Sequence, residues 1–155
     1  MAPIDDAATV RVHEIGSGST VSLQYEGNLA PVGFEIGLVA LSCRVGSQLH
    51  NVHASRVFIA GQGSGGTMAL RLALRYPELF AGAISIGGAM PRRGAPLNRV
   101  KEARGLPILL ASCRDSEFYP QADVVSDLRL LHSAGFSLAL RQYPGDDELT
   151  TAMLS

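Results

Sequence analysis

Ser64 stands among Gly61, Gly63, Gly65 and Gly66 in the stretch VFIAGQGSGGTMALRLALRYPELFAG, residues 57–82. A short apolar run meets the glycines and a helical pattern follows at once. Two chemistries use that layout: a loop whose backbone cradles phosphate, and a tight strand-to-helix turn that presents a nucleophile. The other reactive types are Cys43, Cys113, Asp115, the acids Asp146, Asp147 and Glu148, and the histidines His13, His50, His53 and His132. Two cysteines are too few for a disulfide framework or a Cys-based metal centre. No metal and no cofactor is expected.

Gly61, Gly63 and Gly66 satisfy G-x-G-x-x-G after an apolar strand and before a helix, the context a dinucleotide site requires. Such a site also needs a carboxylate about 20 residues on, to hold the ribose. None occurs from Leu79 to Val100. The fingerprint normally opens its domain, whereas about 60 residues precede it here. An anion- or nucleotide-binding module built on Gly61–Gly66 therefore stands as an alternative with half its signature missing.

The elements that must position these residues are legible from periodicity. TVRVHEI and TVSLQYE alternate apolar and polar residues around GSGS, which predicts a β-hairpin. From Phe34 to about Leu49 apolar residues recur at helical spacing, giving an amphipathic helix. RVFIA, 56–60, reads as a buried strand, and a helix over 64–76 ends just before Pro77. Further strands are expected at Ala83–Ile86, 106–112 and 137–143. A helix runs from about Gln121 to Ser133 and closes at Gly135. DDELTTAMLS begins a last helix. Strands alternating with helices, the strands mostly continuous apolar runs, imply a parallel sheet covered on both faces.

Composition narrows the classes. A chain of 155 residues is one domain by size, and 46% hydrophobic with 17% charged residues is ordinary for a soluble globular protein. A net charge of −1 argues against nucleic acid or an anionic membrane as partner. Arg92, Arg93, Arg99, Lys101 and Arg104 form a small basic cluster that reads as a solvated loop and helix face. No leader-like segment and no run of 18 apolar residues is visible, so the expected location is cytoplasmic, without membrane insertion.

The stretch 57–88 strongly resembles the elbow and following helix of the carboxylesterase/phospholipase group of α/β-hydrolases. LPILLASCRDSEFYP resembles the strand and loop that carry that group's catalytic acid. LHSAGFSLALRQYPGDDEL resembles the last helix–strand unit, whose loop carries its histidine. The resemblance covers roughly residues 50–155. It implies an α/β-hydrolase-like fold in a single domain, 1–155: a mainly parallel sheet with helices on both faces, reduced in strand number.

At the residues that would do the chemistry, the resemblance breaks down. In the family pattern G-x-S-x-G, Gly61 and Gly65 take the flanking places and the tip is Gly63, which has no side chain. Ser64 lies one position later. Centring the motif there would put Gln62 where close approach needs glycine, so Ser64 reads as a helix N-cap. Ser116 lines up with the family aspartate without a gap, and one residue of slack brings Asp115 there. Where the family has Y-P-G-x-G-H, this chain has Tyr143-Pro144-Gly145-Asp146-Asp147-Glu148, so Glu148 takes the histidine's place. Acids in a helix's first turn are favoured by its dipole, which accounts blandly for all three.

No histidine substitutes in the fold's order Ser…Asp…His: His13, His50 and His53 precede Asp115, and His132 lies on the helix before the last strand. Cys113 reads as a buried thiol. No upstream H-G-G-type loop supplies a second oxyanion donor, and the segment before residue 50 is short for the strands that precede the elbow in that family. A shortened homologue or a fragment has that pattern. Three functions follow as expectations: a family member that has lost most or all ester hydrolysis but keeps a pocket for a small ester or carboxylate-like ligand; an active carboxylic-ester hydrolase using Ser64 with Asp115 and Glu148; and the anion- or nucleotide-binding module.

Overall fold

A computed structural model describes residues 9–15, 20–26, 56–93, 96–148 and 150–154. Contacts divide the chain into two compact units, Met1–Ala54 and Ser55–Ser155. In the first unit β1 (Thr9–Ile15) pairs antiparallel with β2 (Thr20–Glu26), in register from Thr9 opposite Glu26 to Ile15 opposite Thr20. This is the hairpin that the alternation predicts. The amphipathic helix expected over 34–49, Cys43, His50 and His53 lie outside the described residues.

In the second unit four strands lie side by side in chain order: β3 (Phe58–Gln62), β4 (Gly82–Ile86), β5 (Ile108–Cys113) and β6 (Leu138–Tyr143). Every neighbouring pair is parallel. Parallel neighbours need crossovers, and three segments supply them. α1 (Ser64–Arg75) and a 3₁₀ turn (Pro77–Leu79) join β3 to β4. The short α2 (Val100–Ala103) lies between β4 and β5, and α3 (Gln121–Ser133) joins β5 to β6. A last turn of helix, α4, spans Thr151–Leu154.

The expected boundaries hold within about two residues. β3, however, is not the buried strand expected: it alternates exposed and half-buried residues, with Phe58 61% exposed, because it is an edge of the four described strands. β3 begins later than 56 because its partner β4 begins only at Gly82, and it runs to Gln62 because Gly61 and Gln62 pair with Ser85 and Ile86. α3 closes as expected. Gly135 (φ 84°) donates to the His132 carbonyl and Phe136 N–H to that of Leu131, the bond pair that ends a helix in a left-handed glycine. One expectation fails: Asp146–Glu148 are not in a helix's first turn, since α4 starts at Thr151. Asp146 Oδ1 instead accepts the Glu148 N–H at 3.2 Å, a local turn that competes with helix.

The core runs through the sheet and its helices: Leu70 and Ala73 of α1, Leu110 of β5, and Val124 and Leu131 of α3 are wholly buried. Three of the five clustered basic residues are tied to the protein. Arg92 pairs with Asp127 at 2.8 Å, Arg99 with Glu78 at 3.1 Å, and Arg104 donates to the Ala134 carbonyl. Among the described residues no helix is long and apolar enough to cross a membrane.

Candidate functional site

The site is built where β3 turns into α1. Gly63 has φ 55° and ψ −123°, the conformation of the first central residue of a type II′ turn, where glycine dominates because side chains are strained there. Its N–H donates to the Ile86 carbonyl at 2.8 Å, and its own carbonyl accepts the Thr67 N–H at 3.2 Å. Gly63 is therefore the helix N-cap. Ser64, expected in that role, is instead the first helical residue, exposed, with no capping bond from its side chain.

The flanking glycines differ in what they do. A Cβ on Gly61 would lie 2.1 Å from the Gly65 carbonyl oxygen, so strand and helix meet there backbone to backbone. Gly66 faces Ser85, whose Oγ would be 2.5 Å from an added Cβ. Gly65, by contrast, would tolerate a Cβ, with nothing within 4 Å. At Gly63 an added Cβ also meets nothing within 4 Å. The elbow geometry survives, and the tip points a missing side chain into open space.

The acids come from the loops after β5 and β6. Asp115 donates its N–H to the Gly145 carbonyl at 3.0 Å, but its side chain is exposed, as is that of Glu148. Among the described residues no hydrogen bond joins Ser64, Asp115 and Glu148 to one another. The contact that does form is between Ser116 and Asp147. Ser116 Oγ donates to Asp147 Oδ1, and the Glu117 N–H donates to Asp147 Oδ2 at 3.2 Å. Asp147 also reaches the elbow: its carbonyl accepts from Gln62 Nε2 at 3.3 Å, and Oδ1 lies 3.8 Å from where a Cβ on Gly87 would be.

Between these loops is a hollow of about 380 Å³ lined by Asp115, Glu117, Phe118, Asp146, Asp147 and Glu148. Cys113, at the end of β5, is buried. Burial, and then the negative charges of Asp147, Asp146 and Asp115, push its thiol above the usual range; it is the buried thiol expected. His132 lies exposed on α3.

A second polar centre braces the same loops. Asp127 on α3 is wholly buried. It accepts from the Met90 N–H at 2.8 Å, from Tyr119 Oη at 2.9 Å and from Arg92 Nη2 at 2.8 Å. Burial and the Asp127 charge push the Tyr119 phenol well above its ordinary value. Sequence reasoning missed this hub, although a signal existed: Asp127 falls three residues after Val124 and four before Leu131, on the apolar stripe of its helix. Asp147 was read only as one of three loop acids, because its bonds to Ser116 and Glu117 come from about 30 residues away.

The phospholipase/carboxylesterase family model matches residues 37–150. The chain belongs to the phospholipase/carboxylesterase family. Its solved relatives share the α/β-hydrolase fold. SOBER1 of Arabidopsis thaliana is 18% identical with a TM-score of 0.65, over 86% of this chain and 71% of that one. A Bacillus cereus carboxylesterase is 16% identical with a TM-score of 0.70, over 83% and 59%. YahD, solved with malic acid, is 16% identical with a TM-score of 0.67, over 83% and 61%. At such identities the likeness carries the fold alone. No curated protein gives a significant match.

Proposed function

We propose that this chain is a carboxylesterase/phospholipase family member that has lost most or all ester hydrolysis and keeps a pocket at the C-terminal ends of its strands for a small ester or carboxylate-like ligand. The observation that carries the proposal is Gly63: the elbow tip keeps its left-handed conformation but bears no hydroxyl. The rest of the site supports it. No imidazole stands in the loop after β6, and the candidate acid Asp115 turns its side chain to solvent. A serine hydroxyl attacks an ester only when a base removes its proton, and here both partners are missing at once. What remains is the start of α1, whose first N–H groups have no intrahelical partner and favour negative charge, opposed by like-charge repulsion from the acids that line the hollow.

A second reading rests on Ser64, which is exposed and makes no capping bond, so its hydroxyl is free to react. A fluorophosphonate probe separates the two. The proposal expects no labelling of the folded wild type. Labelling that Ser64→Ala abolishes would establish Ser64 as a displaced nucleophile and reject the proposal.

A further inference from the structure

Ser116 occupies the family's acid position when no gap is allowed, and Asp147 is next to Glu148, which stands in the histidine's place. The hydrogen bond between Ser116 and Asp147 therefore spans the two loops that in this family hold the acid and the histidine. We propose that this pair has become a clasp: it fastens the loop 114–120 to the loop 144–148 over the end of β5, and its opening uncovers the buried Cys113. The proposal rests on the reading that hydrolysis is lost, which frees both loops from holding a proton relay.

Four bonds tie the loops together. Arg114 and Asp115 donate their N–H groups to the carbonyls of Tyr143 and Gly145, at 2.9 and 3.0 Å. Ser116 Oγ and the Glu117 N–H both donate to the Asp147 carboxylate. The far end of the loop 114–120 is anchored separately. The Tyr119 N–H donates to Ser116 Oγ at 2.8 Å, and its phenol donates to Asp127. Against these ties stands like-charge repulsion. Asp115, Glu117, Asp146, Asp147 and Glu148 all line the hollow, and no basic residue lines it. Between the anchors the tip is open to solvent, with Phe118 83% exposed. The bonds to a charged acceptor are the stronger ones, so Asp147 bears most of the load. Ser116, 6% exposed, is sealed inside the closed clasp.

Cys113 reports the opening, because it is 5% exposed and sits at the foot of both loops. The test measures its reaction with Ellman's reagent in a Cys43→Ser background, which leaves one thiol. Ser116→Ala is the decisive variant. It keeps every charge around the thiol, so a faster reaction reports access rather than an altered thiol. Labelling is expected to quicken by about ten- to hundredfold or more, the effect of losing the bond to the Asp147 carboxylate together with the one Ser116 Oγ accepts from the Tyr119 N–H. Asp147→Asn, the second variant should Ser116→Ala not fold, removes a charge that raises the thiol, so its rate is expressed per thiolate from the pH profile of each variant and is expected to quicken at least as much. Swapping the pair, Ser116→Asp with Asp147→Ser, is expected to restore slow labelling.

Wild-type labelling rates in Ser116→Ala would overturn the clasp. So would a rise that merely follows the loss of global stability in guanidinium, since the opening would then be whole unfolding. Thiol access is independent of ester turnover, so failure of the clasp and failure of the functional reading are distinguishable.

Discussion

At the scale of single residues the site is defined by what three positions lack or redirect. Gly63 has no side chain, no imidazole stands in the loop after β6, and Ser116 donates a hydrogen bond to Asp147. Gly63→Ser alone should therefore recover little activity, because carboxylates with reference pKa values of about 4.3 are poorer bases near neutrality than imidazole at about 6.5. Combining Gly63→Ser with Glu148→His and Ser116→Asp should exceed any single change by about 10²-fold or more in p-nitrophenyl ester turnover. Equal activity in Gly63→Ser alone would mean that another base is at hand. Tyr119 gives a stability prediction with a definite sign. Its folded phenol is held protonated above the ordinary value, whereas an unfolded phenol ionises near pH 10. The unfolded chain then binds fewer protons, so stability falls as pH rises past about 10. Tyr119→Phe should cost about 1.5–3 kcal/mol near neutrality through its lost bond to Asp127, yet descend less steeply in alkali. Denaturant unfolding of both proteins at pH 7 and pH 11 checks it; equal alkaline slopes would contradict it.

At the scale of elements the elbow separates two glycines that a motif treats alike. Gly61→Ala places a methyl group 2.1 Å from the Gly65 carbonyl oxygen, so the β3–α1 turn must open; about 3 kcal/mol or more should be lost. Gly65→Ala meets nothing within 4 Å and replaces glycine inside α1. It should stabilise by about 0.4–1 kcal/mol, chiefly by restricting the unfolded chain. Thermal unfolding of the two variants gives the comparison, and similar losses in both would refute the account of the turn. The elements themselves were legible in the sequence. The buried strands β4 and β5 leave continuous apolar runs, Pro77 and Gly135 mark helix ends, and the hairpin alternates with period two; the apolar run of β3 misled on burial, since Phe58 is exposed at the sheet edge. Boundaries shifted where a partner strand set them, as at β3. The helix expected to take in Asp146 failed because side-chain bonds at Asp146 and Asp147 hold that segment in bends.

At the scale of the whole molecule, the match over residues 37–150 places the chain in its family and the four parallel strands agree with that fold, while the proposed function is that hydrolysis has been lost. The sequence already suggests that reading because a nucleophile is read from one short motif, whose tip here is Gly63. It did not reveal the Asp127 hub or the Ser116–Asp147 bond, which join residues 8 to 37 positions apart and appear only once the loops are folded together. On the proposed reading fold and catalysis have come apart: the glycines at 61 and 66 serve close packing, whereas the glycine at 63 takes the turn's positive φ and offers no hydroxyl. Turnover of p-nitrophenyl butyrate by the wild type and by Ser64→Ala tests that separation most directly. The account predicts that neither exceeds the roughly 10³–10⁴-fold residual rate left by binding and backbone donors once a triad is lost, and that the two are equal. Wild-type turnover well above that level, abolished by Ser64→Ala, would contradict it.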